Sequence, residues 1–189
     1  MVIPEAFNNL RDEPIWVAWD NENGKKTPKS PYGGNAKSND PTTWGTYGQA
    51  SKLAKKNNYS GVGIMLCDGY IGIDLDGAIE DGELSQWAED IVDRFDSYTE
   101  ISPSGTGVHI IANADINEVG LIGRANHSAG VEIYNYGRYF TVTGKQIAGS
   151  GLVDITEKVK PFIDEYFSGK SPDEIVCQRI GAIAKGCNR

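Results

Sequence analysis

Hydrophobic and β-branched residues first gather at 15–19, a run that reads as a strand although its alternation is poor. Residues 24–39 are polar and hold Gly, Pro and Ser; they read as a loop in which Lys25, Lys26, Lys29 and Lys37 are concentrated. Asp40-Pro41 has the form of a helix N-cap and first helical position, predicting a helix that runs through Ala50 to Lys56. Two apolar runs, 62–67 and 70–76, flank Asp68-Gly69, a strong signal for a two-residue hairpin. Leu84, Trp87, Ile91 and Phe95 then recur at helical spacing over 84–95. Strands follow at 98–102, 108–112, 131–135 and 138–143, with Tyr136-Gly137 as the turn between the last two. Helical patterns cover 153–167 and 172–185, separated at 169–171. The last of these ends at Gly186 without a polar tail, as a chain cut from a longer one would. The expected architecture is α+β: a mixed, antiparallel-rich sheet with flanking helices, closed by C-terminal helices.

Composition narrows the class without naming a chemistry. A chain of 189 residues suits one domain, or one domain plus a short appendage, and 39% hydrophobic content fills a real core. The first ten residues lack a basic start followed by an apolar run, and no stretch approaches about eighteen apolar residues. Cys67, Cys177 and Cys187 are odd in number and lack metal-ligand spacing. These features predict a reducing, cytoplasmic setting with no membrane partner. The net charge of −8 argues against a protein that coats nucleic acid, since such domains are usually basic. It leaves room for an enzyme that holds a template in a local basic groove and spends its carboxylates on metal.

Candidate chemistry begins at Ile71-Gly72-Ile73-Asp74-Leu75-Asp76. On a strand Asp74 and Asp76 share a face, roughly 6.5–7 Å apart. Two like charges so placed repel unless a cation sits between them, and hard divalent ions prefer carboxylate oxygens. The alternative is a half-buried strand with a solvated face, although aspartate is disfavoured inside strands. Ser102-Pro103-Ser104-Gly105-Thr106-Gly107-Val108-His109 forms a loop whose backbone amides can approach an anion, with His109 placed to donate to a phosphate oxygen. Its alternative is a Gly/Ser hairpin with a satisfied histidine. In Val131-Glu132-Ile133-Tyr134 the alternation turns Glu132 outward as a third carboxylate. Arg138 offers a planar fork suited to phosphate oxygens, though alone either residue would read as solvated surface. Tyr139 falls on the face opposite Arg138 in an ideal strand, hence in the core; an irregular strand start after Tyr136-Gly137 would instead lay its ring against a nucleotide sugar. Taken together, three carboxylates, a Gly/Ser loop with histidine and an arginine match the parts for two-metal phosphoryl transfer to a nucleotide. An all-oxygen site of this kind takes two divalent ions, Mg2+ or Mn2+.

In order and spacing these elements resemble the archaeo-eukaryotic primase superfamily, and more closely the primase–polymerase domains of phage and plasmid replication proteins. The resemblance is carried by Trp16 and Trp19, Lys29, Asn39-Asp40-Pro41-Thr42-Thr43-Trp44, Ile73-Asp74-Leu75-Asp76, Ser102 to His109, and Arg138-Tyr139-Phe140 with Thr143-Gly144. It implies an RRM-like catalytic core over residues 1–150 and a C-terminal helical extension over 151–189. By the same resemblance Asp74, Asp76 and Glu132 hold the metals. Ser104, or Ser102 in its place, would hold the incoming triphosphate with Gly105, His109 and Arg138, and Lys29 is a further candidate. The implied partners are nucleoside triphosphates, a single-stranded DNA template or primer–template, and a helicase, fused or separate, in a bacterial or archaeal host cell. Two rival readings stand beside it. Asp74-Leu75-Asp76-Gly77 also resembles the start of a haloacid-dehalogenase-like phosphatase, but Ala78 stands near where that family wants a threonine. The other rival is a non-catalytic replication-initiation module on the same fold.

Overall fold

The computed structural model describes residues 3–169. Its strands are β1 (Trp16–Glu22), β2 (Lys25–Lys29), β3 (Gly61–Met65), β4 (Tyr70–Leu75), β5 (Ile79–Glu80), β6 (Glu83–Leu84), β7 (Tyr98–Ile101), β8 (Val108–Asn113), β9 (Gly123–Asn126), β10 (Val131–Tyr134), β11 (Tyr139–Val142) and β12 (Gln146–Ala148). The helices are α1 (Tyr47–Asn57), α2 (Gln86–Phe95), α3 (Ile116–Val119) and α4 (Thr156–Tyr166), with 3-10 turns at Glu5–Leu10 and Pro41–Thr43. The fold is therefore α+β with antiparallel sheets, as expected; the helix predicted over 172–185 lies outside the described residues. No helix among the described residues is long and apolar enough to cross a membrane.

Two sheets organise the molecule. One has six strands in the order β12-β7-β8-β4-β10-β9, the other four in the order β11-β3-β1-β2. Alternation gives the six-stranded sheet two different faces. Ile71, Ile73, Leu75, Val108, Ile110, Val131 and Ile133 pack under Ile91 and Phe95 of α2 and Val159 and Phe162 of α4. Tyr98, Ile111 and Tyr134 point the other way and join Trp16, Ile64 and Phe140 from the four-stranded sheet in a second core. At Gly72 the two sheets approach closely, since a Cβ there would stand 2.7 Å from the Phe140 ring.

Three local expectations are corrected. Asp68 and Gly69 do form a turn, with φ of 50° and 91°. It carries the chain from β3 in one sheet to β4 in the other, so the two strands it joins are not a hairpin. The expected loop at 24–39 begins instead with strand β2, paired to β1 around the two-residue turn Asn23-Gly24. Its Pro28 is tolerated because β2 is the edge strand. The helix expected from Asp40 onward is broken. Asp40 caps only the 3-10 turn, and Gly45 exchanges backbone hydrogen bonds of 2.8 and 2.9 Å with Trp16 before α1 starts afresh. Thr46 caps α1 with Gln49 in a capping box.

Candidate active site

Four neighbouring strands of the six-stranded sheet place one residue each in a single row. Glu100 on β7 faces His109 on β8, His109 faces Asp74 on β4, and Asp74 faces Glu132 on β10. Directly opposed residues hold their Cβ atoms about 4.5–5.5 Å apart, so these side chains meet on one face. Asp76 lies in the turn just past β4, is exposed, and donates its N–H to the Gly130 carbonyl at 2.8 Å. Gly130 and Gly107 admit this close approach: a Cβ would stand 2.6 Å from the Asp76 carbonyl oxygen at Gly130 and 2.7 Å from that of Leu75 at Gly107.

The electrostatics centre on Asp74, a quarter of whose side chain is exposed. Burial pushes its carboxyl above the usual range, and the charges of Asp76 and Glu132 add to the effect while His109 and Lys26 oppose it. Glu132 accepts from the Tyr134 hydroxyl at 2.8 Å and lies 3.3 Å from Nδ1 of the exposed His127. His109 is buried, with Nδ1 3.2 Å from the Thr141 carbonyl and Nε2 3.8 Å from Asp74. A carbonyl can only accept, so Nδ1 is the donor in that contact and Nε2 is the atom turned toward Asp74.

A cleft of about 220 Å³ opens beside the row. Asp74, His109 and Glu132 line it from the six-stranded sheet, and Lys26, Arg138 and Tyr139 from the four-stranded side. The exposed Arg138 guanidinium stands 4.8 Å over the Tyr134 ring. Tyr139 is partly buried between the four-stranded sheet and the cleft. Its ring packs close to Gly63, its hydroxyl donates to the Lys26 carbonyl at 2.6 Å, and it still borders the cleft. Larger depressions of about 530 and 410 Å³ beside β9 and α4 hold none of the predicted residues.

The remaining candidates lie apart from this cleft. Ser102, Ser104 and Thr106 bond one another at 2.9 and 3.1 Å, in a tight turn closed by Gly105 at φ +80°. Through Gly107 that turn abuts the end of β4 near Asp76. Lys29 is buried and committed to Glu22 at 2.6 Å and Asn35 at 2.8 Å. Lys26 is the lysine that reaches the cleft. Sequence reasoning also passed over Glu100, although it is an acidic residue inside a strand, the signal that singled out Asp74.

The acidic side chains here offer the oxygen donors that hard divalent ions prefer. Among the described residues no three His, Cys, Asp or Glu side chains converge as a ready-made cage. Magnesium is commonly held by one or two carboxylates together with substrate phosphates, and Asp74 beside Glu132 supplies such a pair.

No family model matches the chain. A DNA primase-polymerase from Nitratiruptor phage NrS-1 is 31% identical over 176 residues, which take in 90% of this chain and 24% of the phage protein. The chain thus spans about a quarter of the length of that relative. Over nine-tenths of its residues the chain is thus similar to a stretch of a phage DNA primase-polymerase, which supports a primase–polymerase domain.

Proposed function

We propose that the domain is a nucleotidyltransferase that extends a nucleic-acid chain on a single-stranded DNA template. The observation that carries this reading is the cleft itself, in which Asp74 and Glu132 stand side by side on one sheet and face Lys26 and Arg138 from the other. Negative and positive groups on opposite walls suit a triphosphate that arrives with divalent cations. A hydroxyl oxygen loses its proton to water and attacks the α-phosphorus, the bond from that phosphorus to the bridging oxygen breaks, and pyrophosphate leaves. Asp74, Asp76 and Glu132 would hold Mg2+ or Mn2+, which would lower the pKa of the attacking hydroxyl and neutralise charge on the leaving phosphates. Arg138 and Lys26 hold the phosphates in line, and His109 orients the α-phosphate end beside Asp74. Tyr139, whose hydroxyl donates to the Lys26 carbonyl, lays its ring against the sugar.

The test is direct. The domain is incubated with a primed single-stranded template, labelled nucleotides and either metal. The expected result is template-dependent extension that Asp74→Asn abolishes. Folded wild-type protein that extends nothing with either ion would remove the reading.

A further inference from the structure

Glu100, which the proposed reaction leaves unused, is buried at 0% exposure. A carboxylate in that position is costly unless its oxygens are hydrogen-bonded. Here they accept from the Tyr98 hydroxyl at 2.6 Å, from the Thr143 N–H at 2.8 and 3.0 Å, and from the Gly144 N–H at 2.8 Å. An apolar side chain could fill the same space. It could not receive both peptide N–H groups of the corner where the chain leaves β11 in one sheet for β12 in the other. The corner is held again from β7, where the Thr143 hydroxyl donates to the Ile101 carbonyl at 2.8 Å and the Ile101 N–H donates to Lys145 at 2.9 Å.

This corner matters because β11 carries the opposite wall of the cleft. Arg138 precedes it, Tyr139 opens it, and the Thr141 carbonyl receives Nδ1 of His109. His109 in turn stands 3.8 Å from Glu100. We propose that Glu100 is a positioning residue, a buried clamp that holds the β11 wall against the His109–Asp74–Glu132 row and thereby sets the grip on the incoming nucleotide. The proposal rests on the nucleotidyl-transfer reading above.

Glu100→Gln tests it, because the amide keeps one acceptor but turns an NH2 group toward the N–H groups it must receive. The expected result is a nucleotide KM raised about tenfold with kcat changed by less than about threefold. Template affinity stays as in wild type, and hydrogen exchange quickens at the Thr143 and Gly144 amides. A wild-type KM in folded Glu100→Gln protein overturns the clamp, as does an effect confined to thermal stability. Should that variant fail to fold, Tyr98→Phe carries the same test, since it keeps the ring against Phe7 and removes only one donor. It should raise KM by about threefold, and an unchanged KM there also overturns the proposal. Nucleotide affinity is measured in parallel by equilibrium titration without template. A wild-type domain that binds nucleotide but extends nothing defeats the transferase reading and leaves the clamp to be judged on affinity. A wild-type domain that binds no nucleotide defeats both.

Discussion

Asp74 sits where burial and two neighbouring carboxylates work against its charge. Its carboxyl is raised above the ordinary value of 3.8, so the folded protein holds that proton more tightly than the unfolded chain does. The resulting stability is fully present below the ordinary value and is lost as pH rises through the raised one. In metal-free protein, Asp74→Asn should therefore melt a few degrees above wild type at neutral pH, on a scale of about 2–4 °C per kcal/mol for a chain of this size. The difference should close as the pH falls toward about 4, near the unperturbed carboxyl range. Melting curves in a chelator across that range check the sign, and a wild type that melts higher at neutral pH contradicts it. Adding nucleotide with Mg2+ should stabilise wild type and leave Asp74→Asn unmoved. Arg138 makes a separate prediction, because it touches the proposed triphosphate and the Tyr134 ring. A charged hydrogen bond to phosphate contributes about 1.5–3 kcal/mol, so Arg138→Ala should lose about ten- to a hundredfold in kcat/KM. Weakened template binding with unchanged nucleotide kinetics would move Arg138 to the DNA groove.

At the level of elements, the strands that carry Asp74, His109 and Glu132 could be read from alternation, because side-chain period fixes which residues share a face. Pairing could not be read the same way. Asp68-Gly69 has the chemistry of a hairpin turn and adopts its dihedral angles, yet the next strand enters a different sheet. Local turn chemistry sets direction, whereas the partner is chosen by which apolar face needs cover. Glu100 was missed for a related reason: its three donors come from Tyr98 nearby and from Thr143 and Gly144, far along the chain. Lys26 was hidden inside a stretch whose Gly, Pro and Ser content reads as loop. The close approach of the two sheets at Gly72 yields a prediction at this scale. In Gly72→Ala the new methyl meets the Phe140 ring at 2.7–2.9 Å, and that ring also packs 5.0 Å from His109. Overpacking of this kind costs about 1–3 kcal/mol. The variant should melt several degrees lower and lose activity as His109 shifts. A Gly72→Ala protein as stable and active as wild type would show that the sheets separate freely at this point.

For the whole molecule, the sign of charge is divided unevenly along the chain. The net charge is −8, yet residues 24–57 hold seven lysines against the single acid Asp40. One of the seven, Lys29, is spent on Glu22, and Lys26 lines the cleft. On the proposed reading, Lys26, which lines the cleft, and the exposed Lys25 and Lys37 near it in the sequence would be the groups that meet template phosphates. Binding of single strands releases about 0.7 counterion per phosphate neutralised, so three such contacts predict a slope of about −2 in log affinity against log salt. Acidic surface elsewhere should keep the slope from growing much steeper. Lys26→Ala should weaken binding for every template sequence alike and flatten the slope by about 0.7, the share of one phosphate. Lys160→Ala on α4 serves as the control, since that lysine pairs with Asp164 at 2.8 Å, away from the cleft. Anisotropy titrations of a labelled oligonucleotide at several salt concentrations give all three slopes. A wild-type slope near zero, or one that Lys160→Ala changes as much as Lys26→Ala does, would place the template on another face of the molecule.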